Sequence, residues 1–161
     1  MKTCDFWRLV DKTRQVSGGN TKVQAKLLIL ELAAQGPEAV LKFEEHFYRF
    51  VRQAFERWRA PESALGRYGG FGDDGMKYFV KAIIAAGEET YYKFLGAPHP
   101  FEIKDIYDKC GCGGEITWVP PYAFYRATGQ PHPDFEDWDY EKNAEHILLG
   151  EADVPANFVQ E

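Results

Sequence analysis

The apolar residues Val40, Phe43, Phe47, Phe50, Val51, Ala54 and Trp58 return at steps of mostly three and four, and this rhythm restricts the chain more than any other feature. Side chains so spaced share one face of an α-helix, so the run predicts a long amphipathic helix with a stripe that must be buried. We expect it to be the core helix. Outside the stripe, Glu45 with Arg49 and Arg52 with Glu56 stand four apart, a spacing that suits surface ion pairs.

Other segments follow the same logic. Phe6, Leu9, Val10 and Thr13 fit a helix starting near Thr3 and ended by Ser17, Gly18, Gly19 and Asn20. Thr21 and Gln24 match a capping box ahead of Val23, Leu27 and Leu30. Gly36 suits a left-handed helix end, and Pro37 suits the first turn of the next helix, where a missing N–H is harmless. Met76, Phe79, Val80, Ile83 and Ile84 make a further stripe, capped by Asp73 or Asp74 and closed at Gly87. A short segment from Glu88 to Leu95 closes at Gly96.

The pattern is weaker beyond Pro98. A short helix over Phe101 to Lys109, a turn at Cys110 to Gly114 and a strand-like alternation at Ile116 and Trp118 are expected. Pro120 and Pro121 can start a brief helix through Tyr125, and Tyr140 to Leu149 a last one. The fold class is therefore mainly α: one compact domain over residues 1–150 with about five to seven helices, irregular or minor β structure near 110–120, and a tail over 151–161.

A length of 161 residues fits one domain, and 45% hydrophobic with 16% aromatic residues supplies a packed core. Apolar runs such as Leu27 to Leu30 are far too short to span a bilayer, and no basic segment leads into an apolar signal core. A cytoplasmic protein without membrane attachment is expected. Three cysteines, Cys4, Cys110 and Cys112, do not form the framework of a secreted disulfide scaffold, so reduced thiols are the simpler reading.

Of the net charge of −6, residues 134–161 carry −8, which leaves +2 on the rest. A nearly neutral body lacks the concentrated basic face of a nucleic-acid binder. Another protein is the expected partner, and the acidic end reads first as a solvated surface.

Four places could carry chemistry. Cys110 and Cys112, with His99 and His132, are zinc-ligand types, but one residue between the cysteines is tighter than the usual two to four. The simpler reading is a glycine turn with ordinary thiols and no metal or other cofactor, with zinc as the alternative. Asp73 and Asp74 beside Gly69, Gly70, Gly72 and Gly75 resemble an anion or metal loop, yet two carboxylates repel phosphate and no phosphate-loop lysine is present. Helix capping explains them more simply. Glu44, Glu45 and His46 could supply acid and base groups, though no nucleophile accompanies them and a solvated helix face is the simpler reading. Finally, Trp118, Tyr122, Phe124 and Tyr125, with Tyr68 and Phe71 earlier, could line a binding groove or fill a second core.

The opening Asp5, Phe6, Trp7 and Leu9, the helix around Phe43 and Phe47, and the run from Gly69 to Phe79 together resemble a family of small bacterial proteins known only as DUF4240. That run reads Gly-Gly-Phe-Gly-Asp-Asp-Gly-Met-Lys-Tyr-Phe, similar to the family's glycine-rich, double-aspartate entry into a helix. Gly87, Tyr91, Ala123, Tyr125, Thr128 and Gly129 extend the likeness over roughly residues 3–130. Where members often have Cys-Ser before the two aspartates, this chain has Phe71 and Gly72. The resemblance implies an all-helical bacterial cytoplasmic protein and brings no activity with it.

The expected function is a non-enzymatic interaction module. Its candidate ligand or partner surface is Tyr68, Phe71, Asp73, Asp74, Trp118 and Tyr122. A small metal-dependent enzyme or zinc-stabilised domain is the alternative, and an immunity-type inhibitor with an acidic face a further one.

Overall fold

A computed structural model describes residues 1–59, 73–96 and 114–140, with the backbone alone at positions 58, 59, 73 and 74. Within them the elements are α1 (Thr3–Val16), α2 (Thr21–Gln35), α3 (Pro37–Arg59), α4 (Asp73–Ala85), α5 (Glu88–Gly96) and α6 (Val119–Thr128). Two short 3-10 helices, Glu115–Trp118 and Pro133–Phe135, precede and follow α6. The chain is mainly α, and no strand occurs among the described residues. The expected strand at Ile116 and Trp118 is corrected to the first 3-10 helix, whose buried Ile116 is its inward side chain. The expected helix at 101–109, the expected turn at Cys110 to Gly114 except for its last residue, and the expected last helix Tyr140 to Leu149 beyond its first residue lie outside the described residues; Tyr140 itself is helical.

Helices α2 and α3 share the centre in different ways. Along α3 the buried Val40, Phe43, Phe47, Phe50 and Ala54 form one stripe, as the spacing predicts. In α2 the six consecutive residues Gln24 to Ile29 are all buried. A helix covered on several sides loses the periodic contrast of an amphipathic one, and α2 packs against α1, α3, α6 and the first 3-10 helix. The central position expected for α3 alone is therefore shared. Each fully buried Leu or Phe contributes about 2 kcal/mol by leaving water.

The start of α2 also differs from expectation. Asn20, not Thr21, is the cap: its side-chain oxygen accepts the N–H groups of Lys22 and Val23. This frees Gln24 to turn inward, where its amide donates to the carbonyls of Val10 in α1 and Ala85 in α4, at 3.2 and 2.8 Å. The Ala85 carbonyl sits in the last turn of α4, where no intrahelical donor remains, so one buried amide ties three helices together.

Two further tertiary bonds fix α5. The Asp11 carboxylate accepts the Glu88 N–H at 3.2 Å, capping α5 from α1. Tyr91 is buried and donates its hydroxyl to the Phe50 carbonyl of α3 at 2.9 Å. Burial pushes its phenol well above the usual tyrosine range. Among the described residues no helix is long and apolar enough to cross a membrane.

Candidate functional site

Glu44 lies on the buried side of α3, four residues after Val40 and three before Phe47. Its carboxylate would be costly there without a partner, and the partner comes from beyond α6. His132 is 1% exposed, and its Nε2 stands 3.0 Å from Glu44 Oε2. Burial pushes the Glu44 carboxyl above its ordinary range, against a downward pull from His132.

Local sequence explains how His132 is held. Pro133 fixes the first position of the 3-10 helix Pro133–Phe135, and His132 is its N-cap, with Nδ1 accepting the Asp134 N–H at 3.2 Å. The His132 backbone N–H donates to the Tyr140 hydroxyl at 3.0 Å. That hydroxyl donates in turn to the Phe135 carbonyl at 3.4 Å. Phe124 and Phe135 meet the imidazole edge-on, with centroids at 5.2 and 5.7 Å.

These contacts settle the ring's proton. Because Nδ1 accepts a backbone N–H, the neutral imidazole carries its hydrogen on Nε2, facing Glu44. Yet Oε2 lies off the line of that N–H. Neither Nε2 nor Glu44 Oε1 has an aligned hydrogen-bond partner among the described residues. An unsatisfied buried polar atom of this kind costs about 1–3 kcal/mol.

Asp134 completes the group. One ligand-type atom from each of Glu44, His132 and Asp134 lies within 4.8 Å of the others. Tyr48, one turn along α3 from Glu44, is 38% exposed; burial of its inner part, and then the Glu44 and Asp134 charges, push its phenol upward. The group thus has a buried side at the His132 imidazole and an exposed side at Asp134.

Of the site residues expected from sequence, the structure describes only a part. His132 is brought to Glu44 and Asp134, while Cys110, Cys112, His99, Tyr68 and Phe71 lie outside the described residues. Asp73 and Asp74 are the first two residues of α4, inside its first turn. Trp118 is half-buried and stacked on Trp138 at 4.3 Å. Tyr122 is only 3% exposed, and its hydroxyl accepts the Trp138 indole N–H at 3.3 Å. It therefore belongs to the core and not to an open surface.

The solvated face expected for Glu44, Glu45 and His46 is corrected at two of the three positions. Glu45 is exposed, Glu44 is buried, and His46 faces the N-terminus with its Nε2 3.1 Å from the Met1 carbonyl. Arg49 donates to His46 Nδ1 at 2.9 Å and to the Thr3 hydroxyl at 3.0 Å. A separate groove of about 370 Å³ runs between Arg8, Lys12 and Glu31, with Leu9 in its wall. Its charges are already matched, Arg8 to Asp5 at 3.2 Å and Lys12 to Glu31 at 2.7 Å.

Comparison with known families gives one match, covering residues 1–118, to the family described as protein of unknown function (DUF4240). The chain belongs to that family. The matched part includes Glu44 and stops before His132 and Asp134. No curated protein and no solved structure matches the chain.

Proposed function

We propose that this DUF4240 protein is a non-enzymatic interaction module of the bacterial cytoplasm, presenting an acidic and aromatic surface to a basic protein partner. One observation carries the reading: Asp134, Glu136, Asp137 and Asp139 are all exposed on the segment that His132 and Tyr140 fasten to the domain. Tyr48 and Leu41, two turns apart on α3, are 38% and 42% exposed and add apolar contact area on that helix. An aromatic and an apolar contact beside a charged rim are the ordinary anatomy of a protein interface.

The state of His132 supports binding over catalysis. The ring is 1% exposed and walled by Phe124 and Phe135, so it offers almost no surface to a substrate. An inhibitor that covers the basic site of a toxin is one form such a surface takes, because complementary charge speeds encounter and rejects wrong partners.

The test is capture from lysate of the source organism with the wild type and with the triple variant Asp134→Lys, Glu136→Lys and Asp137→Lys. A protein held by the wild type at low salt, released by high salt and ignored by the variant is the expected result. Equal recovery on both baits removes the proposal.

A further inference from the structure

Independently of any protein partner, the geometry points to a divalent-cation site formed by Glu44, His132 and Asp134, of the mixed imidazole and carboxylate kind that suits zinc or manganese. Two observations converge on it. One donor atom from each residue lies within 4.8 Å of the others. Separately, the 1% exposed His132 directs an Nε2 without an aligned partner at this group, and the buried Glu44 Oε1 also lacks one.

The 3.0 Å spacing of Nε2 and Oε2 suits two ligands of one ion as well as a hydrogen bond, and the misalignment of the N–H favours the ion. Bonds of about 2.0–2.2 Å that open at roughly right or tetrahedral angles place neighbouring donors about 3 to 3.5 Å apart around one ion. Nε2 and Oε2 are 3.0 Å apart without the alignment that a hydrogen bond requires. Two carboxylates balance the charge of a divalent ion; the imidazole favours zinc over magnesium, which prefers oxygen donors and keeps its water, while the carboxylates admit manganese. The exposed side at Asp134 leaves room for water to complete the shell.

Coordination changes the tautomer, and the protons balance within the ring. The ion takes the Nε2 lone pair, the hydrogen that Nε2 carried moves to Nδ1, and the imidazole stays neutral. Nδ1 then no longer accepts the Asp134 N–H, which turns to water at an exposed position. Metal binding is thereby coupled to the cap of the Pro133–Phe135 turn. The same residues that fix the segment without metal report its arrival.

Calorimetric titration of the full chain with Zn²⁺, and then with Mn²⁺, tests this, joined to NMR of the His132 ring and the Asp134 amide. The expected result is one ion per chain, a move of the ring hydrogen to Nδ1 and a shifted Asp134 amide. Asp134→Asn, at an exposed position, and the isosteric Glu44→Gln each weaken the affinity by about tenfold or more. Circular dichroism checks that both variants stay folded. Failure of the wild type to bind either ion overturns the site. So does unchanged affinity in both variants, or loss of zinc binding in Cys110→Ser with Cys112→Ser while Glu44→Gln and Asp134→Asn still bind normally.

Discussion

Gln24 and Ala85, 61 positions apart in the chain, are joined by a hydrogen bond of 2.8 Å from the buried side-chain amide to the carbonyl. That carbonyl has no other helical donor, and no water reaches it through Gln24, which is 1% exposed. Replacing Gln24 with Met keeps the volume and removes the donor. Met also removes the Gln24 Oε1, which is buried without a partner among the described residues, so the expected net loss is about 1 kcal/mol of unfolding free energy, read as a lower urea midpoint at unchanged slope.

Gly87 and Gly129 have positive φ, +100° and +69°, but different surroundings. A methyl group on Gly87 would collide with the Asp11 carboxylate, whereas nothing lies near the same position on Gly129. Gly129→Ala therefore carries the backbone term alone, about 1 kcal/mol. Gly87→Ala adds displacement of Asp11 from the Glu88 N–H, and about 2–3 kcal/mol in all is expected. Thermal melts of Gly87→Ala, Asp11→Ala and the double variant check the coupling. The double variant should lose less than the two single losses together.

Much of this fold is written in local pattern. The stripes of α1, α3 and α4 and the glycines at positions 36 and 87 place helices and their ends, because a helix face and a positive φ are properties of neighbouring residues. The cap of α2 was harder to read, since Ser17 to Thr21 contains several side chains able to cap and only the backbone angle of Asn20 selects one. Ile116 and Trp118 misled because a pair of alternating apolar residues is too short to separate a strand from one 3-10 turn.

The candidate site was half legible. Glu44 sits at the helical interval from both Val40 and Phe47, a cue to burial that the expectation of a solvated face passes over because it weighs the type of residue above its register. No local pattern names its partner. His132 reaches it through the course of α6 and the turn after it, and tertiary pairing of this kind leaves no period in the sequence.

Tyr91 gives the protein an alkaline weakness. Burial, and to a smaller degree the neighbouring Tyr92, hold its phenol neutral in the fold well past the value of about 10 at which an unfolded tyrosine ionises. Above that pH the unfolded chain holds fewer protons than the folded one, so stability falls as pH rises. The contribution is complete below about pH 10 and declines from there toward the higher folded value. Tyr91→Phe loses the bond to the Phe50 carbonyl, about 1 kcal/mol at neutral pH, and flattens this decline. Urea midpoints of both proteins across pH 7 to 11 or so measure it. Parallel curves would assign the alkaline loss to other groups.

Trp138 should be the residue on which the segment after α6 depends. It stacks on Trp118 at 4.3 Å with planes 22° apart, and its indole N–H reaches the Tyr122 hydroxyl. Both partners belong to the α6 side of the core, so the ring clamps residues 131–140 from outside while His132 holds them from within. Trp138→Ala removes an aromatic pair and one hydrogen bond, about 1–2 kcal/mol together. If the segment opens as a local unit, hydrogen exchange at 132–140 rises while the amides of α2 and α3 keep their protection. Uniform acceleration throughout the protein would instead mean that the clamp is part of the global folding unit.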